Sequence, residues 1–480
     1  MSSVLSIDVG TSGVRAALFD ESGNEVPGAQ VHSRRVIAMS NFGELYPNRL
    51  VDEVVETIDQ LRFNTKIDHI AISAFWHSLL GVDSDGLPTT SLLTWADTRA
   101  AQFANHLRSD FDEADIHART GCRFHPSYWP AKLRWLKQEQ TEQFNKTRYW
   151  LGLAEFLCLR LFGESATSVS MASATGLFNQ RNCDWDWDFV DALGIARDTL
   201  PEIKTQTNTR LTSEFASRWP ALANAQLMTI VGDGAANNIG AGCSTKDKIA
   251  LMVGTSGAMR VVFKGGPPEK PAPGLWCYRA DRERVVVGGA LSDGGGVVRW
   301  LLESLSLYDD DATLQKELAS LEPDAHGLTV LPFWSGERST GWNADARGGI
   351  FGLRQQTKPV EIVRAVLESI AYRFALIARG LDEVAPNAMI VASGNALRSS
   401  PVWLQIIADV LGRPLLLGGA AEASSRGAAL LALEAVGTIA SIEKDQLVVH
   451  EVFEPDMTRH ARYQQGLARQ EELYERLYGS

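Results

Sequence analysis

The stretch IDVGTSGVRAALFDESG, Ile7 to Gly23, has a near copy in MVGTSGAMRVVFKGG, Met252 to Gly266, about half the chain away. In both copies VGTSG follows an apolar run and continues with residues that favour a strand, before a turn begins. Each copy therefore predicts a β-hairpin whose tip is Gly-Thr-Ser-Gly. A hairpin repeated at the head of each half of the chain favours two related domains.

The composition sets the class of protein. A chain of 480 residues exceeds what one hydrophobic core usually organises, and 45% hydrophobic with 22% charged residues is typical of a globular protein in water. The net charge of −12 argues against a nucleic-acid partner and against an anionic membrane surface. The five scattered cysteines have no metal-ligand spacing, and with no export signal they favour the cytoplasm. The sequence does not decide the oligomeric state, and a homodimer is one of the possibilities.

The order of predicted elements indicates an α/β protein. Each half begins with strands and continues with long helices, and a third strand is expected over residues 29–38. We place the domains at residues 1–243 and 244–480. Two lobes joined without a flexible linker suit a hinge around a cleft.

The doubled hairpin suggests phosphate binding. Glycine at a tight turn lets backbone N–H groups converge on an anion, and Thr11 and Ser12 add hydroxyl donors. Arg15 is within reach of a terminal phosphate, whereas Asp8 suits a polyphosphate only with a divalent cation between them. A single copy could be a plain hairpin tip. Two copies favour facing hairpins that hold one triphosphate, and the chain has no P-loop motif.

Two further motifs carry a family resemblance. They are GGIFGLRQQTKPVEIVRAVLE, residues 348–368, and SYWPAKLRWLKQE, in which Trp129 stands where a small residue is usual. With the hairpins, they make the chain resemble the FGGY family of carbohydrate kinases, within the superfamily of sugar kinases, Hsp70 and actin, over essentially its whole length. The resemblance implies two RNase-H-like α/β domains around a central cleft, with ATP and Mg²⁺ bound between them.

The resemblance implies a catalytic base at Asp233, in the turn VGDGAANNIG. Phosphorylation of a hydroxyl requires a carboxylate within hydrogen-bond reach of it. A helix N-cap is the alternative role for an Asp at this place. Asp8 and Asp233 are also the expected carboxylates at the metal ion.

The nucleotide is expected to contact both hairpins and two later segments, GGALSDGGGVVRWLLE and VASGNALRSS, which resemble the family's nucleotide and adenosine motifs. The expected cofactor-binding residues are Asp8, Gly10, Thr11, Ser12, Arg15, Gly254, Thr255, Ser256, Gly295, Arg299, Gly394 and Asn395.

The resemblance implies that the sugar contacts two loops of the first domain, AFWHSLLGVDSDG and LLTWADTRA. The place of the first loop after a strand supports this, because loops that follow strands of α/β sheets line the cleft. The expected substrate-binding residues are Trp76, His77, Trp95, Asp97, Arg99 and Asp233. Asp97 and Arg99 could equally be a buried structural pair.

These motifs together predict ATP-dependent phosphorylation of a sugar or sugar acid. TWADTR, RTGCRFHP and ASATGLFN resemble the gluconate kinase branch, which favours D-gluconate converted to 6-phosphogluconate. A carboxylate needs strong donors, and the basic residues predicted near the sugar loops are His77, Arg99, Arg123, His125 and Lys132. The alternatives are a kinase of xylulose or of another ketose or polyol, and a nucleotide switch without a small-molecule acceptor.

Overall fold

The computed structural model describes residues 3–35, 43–63, 65–204, 209–304, 311–420 and 422–479. The first half of the chain forms strands β1 (Val4–Gly10), β2 (Gly13–Phe19), β3 (Glu25–Arg34), β4 (Glu44–Leu45), β5 (His69–Ala74), β6 (Leu80–Val82), β7 (Leu92–Leu93), β8 (Tyr149–Leu151), β9 (Thr167–Ser168), β10 (Phe178–Asn179), β11 (Asp184–Trp185), β12 (Ile203–Lys204), β13 (Thr209–Arg210) and β14 (Gln226–Gly232). Its helices are α1 (Pro47–Asp59), α2 (Ala101–Asp110), α3 (Glu113–Thr120), α4 (Trp129–Glu139), α5 (Thr141–Lys146), α6 (Leu153–Phe162), α7 (Val169–Ser173), α8 (Trp187–Ala192), α9 (Ser213–Arg218) and α10 (Asp233–Gly240).

The second half continues with β15 (Lys248–Val253), β16 (Gly257–Lys264), β17 (Trp276–Arg279), β18 (Arg284–Leu291), β19 (Thr329–Leu331), β20 (Gly349–Phe351), β21 (Met389–Ser393), β22 (Leu415–Gly418) and β23 (Val449–Phe453). Its helices are α11 (Gly295–Ser304), α12 (Asp311–Ser320), α13 (Pro359–Leu381), α14 (Asn395–Arg398), α15 (Pro401–Leu411), α16 (Ala423–Ala435) and α17 (Met457–Tyr478). Of the third predicted strand, residues 36–38 lie outside the described residues.

The sheets of the two halves share the topology of six strands, and the second sheet has one further strand, β17, at its edge. The first sheet has the order β13-β14-β5-β1-β2-β3 and the second has the order β17-β18-β16-β15-β21-β22-β23. In the first, β1 pairs antiparallel with β2 and parallel with β5; in the second, β15 pairs antiparallel with β16 and parallel with β21. The predicted hairpins and the α/β fold of two RNase-H-like domains are confirmed. The two VGTSG sequences therefore sit at equivalent tips.

Local sequence explains several element ends. Helix α1 begins at Pro47, because proline suits the first turn of a helix, where its missing N–H has no partner to lose. Helix α15 begins at Pro401 after Ser400, whose hydroxyl accepts a hydrogen bond from the Trp403 N–H. Strand β5 is buried along nearly its whole length, as expected for a strand with parallel neighbours on both sides.

Contacts between the two halves position the cleft. Strand β17 packs on the helical region inserted between β5 and β14, where the Cys277 N–H donates to the Gly121 carbonyl at 2.9 Å. Helix α16 packs on α10 and on β1 and β5 of the first sheet. A Cβ on Gly240 or Gly427 would lie within 2 Å of a backbone oxygen of the facing helix, so this crossing requires glycine. The bounds 1–243 and 244–480 stay a prediction, since α16 lies against the first sheet.

Among the described residues, no helix is both long enough and apolar enough to cross a lipid bilayer.

Candidate active site

A cavity of about 200 Å³ opens between the two halves and collects residues from distant parts of the chain. The tip residues Thr11 and Ser256 line it from the two hairpins, and Asp233 lines it from the start of α10. Its aromatic walls are Trp76, His77, Trp95, Tyr128, Trp276, Tyr278 and Trp342. A second cavity of about 390 Å³ adjoins it and shares Trp95, Ser127 and Arg338.

Asp233 has the electrostatics of a general base. Burial raises the pKa of its carboxyl to about 6; the charge of Asp8 also raises it, while the charge of Arg260 opposes the rise. One carboxylate oxygen accepts a hydrogen bond from the Gly234 N–H at 2.7 Å, which fixes the side chain. A carboxyl with a pKa near the working pH can accept a proton and release it again. The prediction of Asp233 as the base is compatible with this geometry.

The first hairpin carries Asp8 and Arg15 side by side. Asp8 accepts hydrogen bonds from Ser73 at 2.8 Å and from Arg15 at 3.2 Å, and burial raises the pKa of its carboxyl. Arg15 also forms an ion pair with Glu422 at 2.9 Å. In this structure Arg15 is held by two carboxylates, so its predicted contact with a phosphate would require it to leave at least one of them.

The second hairpin lies against the start of α11. The backbone N–H of Gly295 donates to the Gly254 carbonyl at 2.9 Å, and those of Gly294 and Gly296 donate to the Thr255 carbonyl at 3.0 Å. Gly394, with φ of 98°, packs against Val253 of the same hairpin strand. The structure thus brings these predicted nucleotide residues onto one surface.

Asn395 and Arg299 are the outer members of the predicted nucleotide set. Asn395, next to Gly394, is exposed, and Arg299 lies on the exposed side of α11. Ser12 and Gly10 belong to the tip of the first hairpin, where Gly10 pairs with Gly13.

Trp76 and His77 both face the cavity. The Trp76 ring packs edge-on against Trp276 and Tyr278, and its Nε1 donates to the Ser170 carbonyl at 3.1 Å. His77 Nδ1 is 2.8 Å from the Ala174 carbonyl, and burial lowers the pKa of the imidazole to about 3. Because the ring is neutral and Nδ1 donates, Nε2 offers an acceptor to a ligand hydroxyl.

The TWADTR element divides between the cavity and the protein interior. Trp95 lines the cavity, but Asp97 is buried and Arg99 binds it, with Nη2 2.6 Å from the carboxylate. Arg99 also pairs with Glu44 at 2.7 Å and stacks on the Trp135 ring. In this structure Asp97 and Arg99 form the structural pair that the sequence left as an alternative.

The basic cluster predicted to bind a carboxylate does not present free cations. The Lys132 ammonium donates to three backbone carbonyls, those of His77, Thr94 and Ser127, at 2.7–2.9 Å. Arg123 forms an ion pair with Glu113 at 2.8 Å, and burial holds the pKa of His125 well below its usual value. For Arg99, Arg123 and Lys132 the expectation was wrong, because proximity in sequence does not show which cations already have partners. His77 lines the cavity and His125 lines the adjoining one, as predicted near the sugar, but burial lowers the pKa of both imidazoles.

Two arginines that the sequence analysis missed lie in the cavity instead. Arg260 is on β16, shortly after the second hairpin tip, and Arg338 is in the loop after β19. One sequence signal was present: Arg260 interrupts the otherwise apolar strand GAMRVVF, and a charged residue is rare at a buried strand position. No comparable local signal marked Arg338.

Comparisons with known proteins identify the family of the chain. Residues 3–240 match the N-terminal domain and residues 249–436 the C-terminal domain of the FGGY family of carbohydrate kinases. The chain is 29% identical to a gluconokinase of Bacillus subtilis over 458 residues, which cover 92% of this chain and 89% of the relative.

Solved structures of carbohydrate kinases superpose on the whole chain. A gluconate kinase and a ligand-bound xylulose kinase, both from Lactobacillus acidophilus, each superpose with a TM-score of 0.90 at 28% identity, covering 100% of this chain and 99% of theirs. The alternative of a nucleotide switch without an acceptor is excluded. The matches span both halves and the cleft between them, and the chain belongs to the FGGY family of carbohydrate kinases.

Proposed function

We propose that this kinase transfers the γ-phosphoryl group of ATP to a hydroxyl of a sugar acid, and that D-gluconate, converted to 6-phosphogluconate, is the acceptor. The observation that carries the proposal is the shared cavity of Asp233, Thr11 and Ser256. Phosphoryl transfer needs a base at the acceptor and donors at the phosphates, all within reach of the reacting atoms. Here one buried carboxyl and both hairpin tips face the same space.

Asp233 acts as the base. With its pKa near 6, most of the carboxyl is ionised at neutral pH, so it can accept the proton of the acceptor hydroxyl as the phosphoryl group arrives. His77 Nε2 and the aromatic walls orient the sugar chain, and the neutral imidazole adds no charge that would compete for the base. Closure of the two lobes excludes water, which would otherwise be an acceptor.

The hairpins bind the triphosphate. The hydroxyls of Thr11, Ser12, Thr255 and Ser256 and the backbone N–H groups of the two tips donate to the phosphate oxygens, and the surface around Gly295 and Gly394 receives the adenosine. Kinases of this family use ATP, so the nucleotide follows from family membership.

Mg²⁺ fits two carboxylates, that of Asp233, which lines the cavity, and that of Asp8, on the strand that leads to the first hairpin tip. The charge of Asp8 raises the pKa of Asp233, which indicates two acidic groups close enough to repel each other across the site. A cation near both would relieve that repulsion, and carboxylate and phosphate oxygens are the ligands that Mg²⁺ prefers. Asp8 and Asp233 would hold the ion, which would neutralise charge on the phosphates.

The acceptor is proposed from two observations. A gluconokinase is 29% identical to this chain over most of both proteins, and the cavity contains two guanidinium groups, which favours an anionic acceptor. A ketose kinase is the second candidate, because a xylulose kinase structure superposes equally well on this chain.

The test is a substrate panel under one condition. Purified protein with ATP and Mg²⁺ is assayed with D-gluconate, D-xylulose, D-ribulose and glycerol, and the products are identified by mass and by fragmentation. We expect kcat/KM for gluconate to exceed the neutral substrates by roughly 10²-fold or more, since a site with buried cations leaves them unpaired beside a neutral sugar. Any neutral sugar with a higher kcat/KM would overturn gluconate as the acceptor.

A further inference from the structure

Arg260 and Arg338 face the cavity with unused hydrogen-bonding capacity. Arg260 is 6% exposed and Arg338 is partly buried; among the described residues, Nη2 of Arg260 and Nε of Arg338 find no hydrogen-bond partner. In the described part of the chain, neither guanidinium lies within 4.0 Å of a carboxylate oxygen. Buried arginines ordinarily have an anionic partner, so a pair without one points to a ligand.

Arg260 is held rigidly. Its Nε donates to the Asn238 side-chain carbonyl at 3.1 Å, and the Asn238 amide donates back to the Arg260 carbonyl at 3.0 Å. The guanidinium lies along the first turn of α10, where a Cβ on Gly234 would be 2.6 Å from Nη1. These contacts fix one side of the group and leave Nη2 unsatisfied.

Arg338 is held by one backbone carbonyl and one aromatic ring. Its Nη2 donates to the Leu291 carbonyl at 2.7 Å, and its guanidinium lies over the Trp95 ring at 4.8 Å from the ring centre. Stacking on an aromatic face orients a guanidinium without using its hydrogen-bond donors.

The two cations also affect each other. Burial lowers the pKa of Arg260 to about 10; the charge of Asp233 opposes this decrease, and the positive charge of Arg338 contributes to it. One ionised Asp233 cannot compensate two guanidinium groups. A second anion in the cavity would remove the repulsion and satisfy the unpaired donors.

We propose that Arg260 and Arg338 together bind the carboxylate of the sugar acid, while the far end of the chain presents its hydroxyl to Asp233. This inference rests on the proposed function and adds the residues that select an acid over a neutral sugar. Guanidinium donors match a carboxylate in geometry as well as in charge.

The experiment compares two acceptors that differ only at the carboxylate. D-Gluconate and D-glucitol have the same carbon chain, but glucitol carries a CH₂OH in place of the acid. The variants are Arg260→Met, Arg338→Met and the conservative Arg260→Lys; Arg123→Met is the matched control, because Arg123 is paired with Glu113 and does not line the cavity. Gluconate affinity is also measured by calorimetry without nucleotide, which separates binding from chemistry.

We expect each Met variant at Arg260 or Arg338 to lower kcat/KM for gluconate by roughly 10²-fold, the usual effect of removing one partner of a buried charged pair. The value for glucitol should change little, so the preference for the acid collapses. Arg260→Lys should keep part of the preference, and Arg123→Met should keep all of it. The gluconate dissociation constant should rise in parallel.

Three results would overturn the inference while leaving gluconate as the acceptor. The first is a wild-type preference for gluconate that survives in both Met variants. The second is an equal loss for both acceptors, which would assign the arginines to the phosphoryl group. The third is unchanged calorimetric affinity. If Arg260→Met does not fold, Arg338→Met still tests the inference, because Arg338 is partly exposed and its substitution disturbs the interior less. A wild type without any preference for the acid would instead refute the proposed function.

Discussion

Replacing Asp233 with Asn should make the protein inactive and more stable at the same time. Burial raises the pKa of this carboxyl from 3.8 to about 6, so the folded protein disfavours the ionised form that catalysis requires. That change in pKa corresponds to about 3 kcal/mol of unfolding free energy, lost from the wild type as the pH rises from about 4 through 6. Asn has nearly the same shape, carries no charge and can still accept from the Gly234 N–H.

The expected result depends on pH in a defined direction. At pH 8 the variant should have a free energy of unfolding up to about 3 kcal/mol above the wild type, and at pH 5 the gain should be about half as large. Its kcat should fall by ~10²-fold or more, because the proton acceptor is lost. Denaturant titrations at the two pH values measure the first quantity, and steady-state kinetics with gluconate measure the second.

Two outcomes would refute the reasoning. Near-normal turnover in Asp233→Asn would remove Asp233 from the mechanism. A stability difference that does not grow between pH 5 and pH 8 would show that the pKa of the carboxyl is not raised by burial, even if activity is lost. The wild type, measured at the same two pH values, is the reference for both quantities.

Three further predictions concern the same cleft. In the wild type, kcat/KM should fall about tenfold per pH unit below pH 6. Arg260→Met should move this acidic limb of the pH profile to higher pH, because a nearby positive charge no longer favours the ionised form of Asp233. An acidic limb that moves to lower pH would contradict this reasoning. Thr11→Val and Thr255→Val should each lower the affinity for a non-hydrolysable ATP analogue by roughly 10-fold and leave the affinity for gluconate unchanged, as measured by calorimetry. An effect at only one hairpin would contradict the proposal that both hairpins bind the triphosphate. Gly427→Ala should lower the free energy of unfolding by more than about 2 kcal/mol, since its methyl group would lie 1.9 Å from the Ala236 carbonyl oxygen. The control Gly266→Ala, which has open space around it, should change the free energy of unfolding by less than about 0.5 kcal/mol. Equal effects of the two substitutions in denaturant titrations would contradict the close helix crossing.

Much of the site was predictable because it lies in short, ordered motifs. Asp233, Thr11 and Ser256 each follow a recognisable strand-and-turn pattern, and the structure brings all three to one cavity. Trp76, His77 and Trp95 follow strands of the first half and reach the same cavity for the same reason.

The prediction that Arg99, Arg123 and Lys132 bind the anion failed for a physical reason. Lys132 and Arg123 are charged residues in the right part of the chain, but their partners are backbone carbonyls and Glu113, which only the folded structure brings to them. Arg338 comes from a loop in the other half of the chain from Trp95, and no local pattern connects the two.

The sequence by itself determined the duplicated hairpins and the two α/β halves, because hydrophobic periodicity and turn residues act over a few neighbouring positions. The kinase family came from the resemblance of its motifs, such as residues 348–368, to those of a known family. Tertiary structure alone decided which cations of the described chain are free to bind a ligand. The charge of a side chain is written in the sequence, but whether that charge is already compensated depends on what the fold packs around it. For this protein, Arg99, Arg123 and Lys132 already have partners, whereas Arg260 and Arg338, where we propose the carboxylate site, keep donors without one in the part of the chain that the structure describes.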